Sequence, residues 1–181
     1  MIMTSTTPPW TVAQRDRLPK DGNKYEVING ELFLTPMPSW RHQWIADELC
    51  DTLKPYVREH GLGSALAVST DVVRGDTDVA VPDVVVYPFT RDTSPVRAAD
   101  APRPILVAEI RSASTSRRDS GLKRDLYVAL GVPEYWIVDA AERTVMVVRP
   151  GGADELVTGM VWWQPEGVPR ALGIELATLL R

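Results

Sequence analysis

The chain has 181 residues, 44% hydrophobic and 24% charged, enough for one substantial core. Its 20 Lys and Arg against 24 Asp and Glu give a net charge of -4, which argues against strong nonspecific binding to duplex DNA but leaves local basic clusters free to act. The single cysteine, Cys50, excludes an intramolecular disulfide framework and a multi-cysteine zinc site, and points to a reducing, cytoplasmic setting.

Residues 1–20 carry neither a basic leader nor an apolar leader core and read as a flexible arm; residues 21–181 read as one domain. No run approaches membrane-spanning length, so no membrane partner is expected. Residues 25–34 alternate around Asn29-Gly30, a strong type I′ turn, and predict a hairpin. From Ser39 to about His60 the inner stripe Ile45, Leu49, Leu53 and Val57 predicts a helix, kinked at Pro55. Strands follow around 65–73 and 79–87, separated by a turn at 75–78.

Within the second of these strands, Val81-Pro82-Asp83-Val84-Val85-Val86-Tyr87 is an apolar run interrupted by Asp83. Residues 88–104, with four prolines, read as a surface loop placed to gate substrate access. Then Ile105-Leu106-Val107-Ala108-Glu109-Ile110 repeats the earlier pattern, with Glu109 as its only carboxylate. Two anions in buried strands repel each other. They call for protonation, a neighbouring cation or a divalent metal.

Lys123 is the candidate cation. Between Ser116 and Gly131 the spacing of Leu122, Leu126, Ala129 and Leu130 predicts a helix, with a capping-box pattern at Ser116–Asp119, Gly131 as C-cap and Pro133 as terminator. Lys123 and Tyr127 border its apolar stripe, so the lysine can point back to the sheet. Arg111, Arg117, Arg118, Lys123 and Arg124 form a basic cluster suited to phosphates. Strands near 135–138 and 144–148, a turn at 150–152 and a helix near 176–180 complete the chain. Trp162-Trp163 reads as a packing or dimer feature. The sequence has no serine-hydrolase elbow, no phosphate-cradling loop and only two histidines, His42 and His60.

Several separated words, in order, resemble the Uma-type restriction endonuclease family, a branch of the PD-(D/E)XK nuclease superfamily. They are Pro82-Asp83-Val84-Val85-Val86, then Val107-Ala108-Glu109-Ile110-Arg111, then Gly121-Leu122-Lys123-Arg124-Asp125-Leu126-Tyr127, then Glu134-Tyr135-Trp136-Ile137-Val138-Asp139. The stretch from Tyr25 to Leu32 and His42 are similar to the family's opening hairpin and first helix.

The resemblance implies an α/β, restriction-endonuclease-like fold: a central mixed β-sheet flanked by helices, with an amino-terminal β-hairpin. It also implies a magnesium-dependent endonuclease, manganese being an alternative, acting on DNA. Asp83, Glu109 and the backbone carbonyl of Ile110 would be metal ligands and Lys123 the catalytic cation. Glu31, His42, Arg111 and Tyr127 would lend support. Cutting both strands of a duplex further suggests a homodimer.

The superfamily pattern has a lysine two residues after the acidic strand position, where this chain has Arg111; the lysine then lies on the next helix, at Lys123. Arg111 shares a strand face with Glu109 and would bind phosphate or neutralise that carboxylate. Two other readings stay open: a noncatalytic module for DNA binding or protein assembly, and a nuclease for RNA or single strands.

Overall fold

The structure is a computed structural model that describes residues 8–67, 70–111 and 119–181. The hairpin forms as its turn chemistry dictates: β1 (Lys24–Ile28) pairs antiparallel with β2 (Glu31–Thr35), and Asn29 and Gly30 take the positive φ of 53° and 74° that the two-residue turn requires. Helix α2 (Trp40–Glu59) starts at Ser39, whose hydroxyl accepts from the His42 N–H, and runs on through Pro55.

Two predicted strands are each divided. Residues 65–73 supply β3 (Ser64–Leu66) and β4 (Val72–Arg74), with Val68 and Ser69 outside the described residues. The run at 79–87 splits into β5 (Asp78–Ala80) and β6 (Val84–Tyr87). The break falls at Pro82, which has no N–H to give to a ladder. The halves enter different sheets. β5 joins a four-stranded sheet of order β2-β1-β5-β4, while β6 joins a six-stranded sheet that ends at β3.

That larger sheet continues through β7 (Leu106–Ile110), β8 (Tyr135–Asp139), β9 (Thr144–Val148) and β10 (Glu155–Thr158). β7 and β8 are parallel and the other pairs antiparallel, so the fold is α/β with a central mixed sheet. A π turn (Asp119–Lys123) and helix α3 (Arg124–Ala129) form the β7–β8 crossover. β11 (Met160–Trp163), β12 (Leu172–Glu175) and α4 (Leu176–Leu179) close the chain.

Strand alternation divides the core in two. Val84, Val86, Ala108 and Ile110 pack with Leu49 and Leu53 of α2. Val85, Val107, Tyr135 and Ile137 pack with Leu126 and Tyr127 of α3. Glu109 is in step with Val107, hence on the α3 face. Trp163 is buried in the first core and Trp162 is exposed.

The crossover helix is described only from Asp119, so the capping pattern at Ser116 and the basic residues Arg117 and Arg118 lie outside the described residues. Its start is a π turn, not the α-helix expected there; Gly131, with φ 68°, ends it as expected. The arm also departs from expectation. From residue 10 it is tied down: the N–H groups of Trp10 and Val12 donate to the carbonyls of Gly30 and Asp76, both at 2.8 Å. A capping box of Thr11 and Gln14 starts α1 (Val12–Arg15), and Arg15 pairs with Asp71 at 2.6 Å. Among the described residues no helix is long and apolar enough to cross a membrane.

Candidate active site

Asp83 follows the proline that ends the apolar run of β5, and it is 7% exposed. Ile110 lies beyond the last β6–β7 pair, Val84 with Ala108, and its N–H donates instead to Asp83 Oδ2 at 2.8 Å. The same oxygen is 3.0 Å from His42 Nε2, on the first turn of α2. The other, Oδ1, accepts from Lys24 Nζ at 2.5 Å. Burial works against ionisation of Asp83, but His42 and Lys24 outweigh it and hold the carboxyl well below the usual carboxylate range.

Glu109, 3% exposed, is held by the crossover helix. Its Oε1 accepts from Lys123 Nζ at 2.8 Å and from Tyr127 Oη at 3.0 Å. Lys123 and Tyr127 are four residues apart, one helical turn, which is why both reach one carboxylate. Burial, reinforced by Glu109, pushes the Tyr127 phenol well above its ordinary value, so it remains a donor.

A third carboxylate completes the cluster. Glu26 Oε1 lies 2.9 Å from Lys123 Nζ and accepts from the Val81 N–H at 2.8 Å, and the residue is fully buried. Lys123, itself 2% exposed, thus bridges Glu26 of the hairpin and Glu109 of the central sheet. Lys24 and Glu26 share a face of β1 by alternation, which puts one residue on each end of the cluster. Glu26, Asp83, Glu109, Lys24, Lys123 and His42 all line one cavity of about 390 Å3.

The sequence-selected residues separate accordingly. Asp83, Glu109, Lys123, His42, Ile110 and Arg111 line this cavity, and Tyr127 supports it from behind through Glu109. Arg111 pairs with Asp139 at 3.0 Å, with its side chain 40% exposed. Glu31 does not join them: it is exposed at the start of β2. Residues 88–104, expected to gate access, do not line the cavity. Sequence reasoning passed over Lys24 and Glu26. The available signal was strand alternation, with Glu26 a lone acid between Tyr25 and Val27.

Asp83 gives the site a pH signature. A carboxyl held below its ordinary value of about 4 contributes stability above that pH and loses it as pH falls toward its own lowered value. Asp83→Asn should therefore flatten the acid limb of the stability profile, read as urea midpoints between about pH 2 and 7. An acid limb as steep as the wild type's would contradict this assignment.

Among the described residues no group of three or more His, Cys, Asp or Glu side chains is arranged to hold a metal ion as it stands. Lys123 sits between Glu26 and Glu109, and Lys24 takes one oxygen of Asp83. The donors themselves are hard oxygens of the kind magnesium and manganese take.

Comparison with known proteins agrees with this fold. A family model described as "Uma2: Putative restriction endonuclease" matches residues 12–177. A solved structure described as a "putative nuclease belonging to DUF820", from Anabaena variabilis ATCC 29413, matches with a TM-score of 0.79 at 22% identity, over 95% of this chain and 98% of that one. At that identity the likeness is one of fold. No curated protein matches the chain.

Proposed function

The chain belongs to the Uma2 family, and from that premise we propose that it is a metal-dependent endonuclease that hydrolyses phosphodiester bonds in DNA. The observation that carries this reading is the convergence of Asp83, Glu109 and Lys123 on one cavity, from three separate elements. Asp83 and Glu109, with the backbone carbonyl of Ile110, would hold magnesium or manganese. When bound, the metal would supply a Lewis acid for the phosphate and acidify its bound water.

The chain's own groups have distinct tasks. Lys123 places an ammonium beside Glu109, where it orients water or offsets phosphate charge. Glu26 and Tyr127 hold that pair in position, one through Lys123 and the other through Glu109. His42 and Lys24 keep Asp83 ionised. Arg111 and Arg41 add positive charge to the cavity wall for a strand backbone.

A second reading rests on the same pairs. Lys24 and Lys123 already satisfy the carboxylates, as in an ion-pair network kept for structure, so a noncatalytic DNA-binding or assembly module is its consequence. Plasmid nicking separates the two. Wild type should nick supercoiled DNA with magnesium or manganese and not with EDTA, and Glu109→Gln should lose the activity. DNA binding without cleavage under any metal would establish the module instead. Single-stranded DNA and RNA as competitors would define the substrate, and sedimentation would test the homodimer.

A further inference from the structure

Helix α2 presents two large aromatic side chains to solvent beside this cavity. Trp40 is 80% exposed and Trp44 68%; neither lines the cavity, but Arg41, next to Trp40, and Met37, 70% exposed, do. Neither indole packs against another ring among the described residues. So much exposed aromatic surface at one place marks a binding surface and contributes little to the fold. On the helix, Trp44 lies about 60° and Trp40 about 100° around from Arg41, which faces the cavity.

We propose that Trp40 and Trp44 form a nucleobase-stacking platform that receives unpaired bases next to the phosphate held in the cavity, making a strand with unpaired bases the preferred substrate. This rests on the nuclease reading of the site. Spacing supports it: residues four apart lie on one helix face about 6 Å apart along the axis, so both indoles border the same short stretch of a strand whose bases repeat about every 3.4 Å.

Charge supports it as well. Arg41 stands between the indoles and His42, so a strand leaving the platform toward the cavity first meets this cation; Lys24 and Arg111, which also line the cavity, are paired with Asp83 and Asp139. In the other direction the exposed Asp47, Glu48 and Asp51 continue α2 and repel phosphates. The platform is therefore confined to the first turns of α2, and the strand must pass Arg41. Basic residues interleaved with exposed aromatics are the pattern by which proteins hold single strands without reading sequence.

The test is binding, measured by fluorescence anisotropy in EDTA, of a labelled single strand, a fork with unpaired arms and a blunt duplex. Trp40→Ala and Trp44→Ala touch exposed side chains and should fold as wild type does. Each should weaken single-strand and fork binding about tenfold, the scale of one lost base–aromatic stack, with little change for the duplex. Trp44→Phe should restore most of the loss, and Trp162→Ala, at an exposed indole on β11 that does not line the cavity, should have no effect.

Unchanged affinities, or equal losses on all three DNAs, would overturn the platform. So would alanine variants that shift dimer to monomer with DNA affinity unaltered, which would make this face a contact between copies. Plasmid nicking in magnesium is scored separately: cleavage with no unpaired-base preference removes the platform and keeps the nuclease, whereas strand binding lost in the tryptophan variants with no cleavage by wild type does the reverse.

Discussion

Lys123→Met should destabilise the fold by about 3–5 kcal/mol, the cost of removing one partner from a buried ion pair, and should abolish cleavage. The methionine fills similar space, so the effect isolates charge. Without the ammonium, Glu26 and Glu109, both essentially inaccessible to water, would face each other uncompensated. Adding Glu26→Gln to the variant should recover much of the lost stability, because it removes one of the two repelling anions, while cleavage stays absent. Magnesium added to Lys123→Met should also raise its urea midpoint, since a divalent cation can replace the lost positive charge. Additive losses in the double variant would mean that Lys123 does not act as the bridge between these carboxylates.

Asp83→Ala should lower plasmid nicking by at least about 10²–10³-fold, the loss that follows removal of one preorganised electrostatic group from an active site. Calorimetric binding of magnesium should weaken in parallel. The substitution also strands Lys24 and the Ile110 N–H, so rates must be compared in samples shown to be folded. His42→Gln gives the contrast: it leaves both carboxylates in place and removes only a neighbour of Asp83, so its effect should be smaller. Nicking that survives Asp83→Ala would place the chemistry elsewhere.

Asp83 and Glu109 were legible because each interrupts an apolar run, where a charge must be compensated, and Lys123 because it borders the apolar stripe of the helix that follows. Their partners were less so. Glu26 sits in a short hairpin strand, where a lone acid is ordinarily a solvent-facing residue; only the packing of that hairpin over Val81 and Lys123 buries it. Glu31, of the same residue type and five positions on, stays exposed at the turn. The division of the 79–87 run was foreshadowed by Pro82, yet the assignment of its halves to two sheets depends on strands distant in sequence.

What the sequence by itself determined is local: the turn at Asn29-Gly30, the stripe of α2, the buried character of β6 and β7, and the family words that hold the candidate site residues. Only the tertiary structure decided which charges meet. Periodicity specifies which face of an element a side chain occupies, whereas an ion pair depends on distances between elements, set by how the hairpin, the central sheet and the crossover helix pack. That packing brought Lys24 to Asp83 and Lys123 between Glu26 and Glu109.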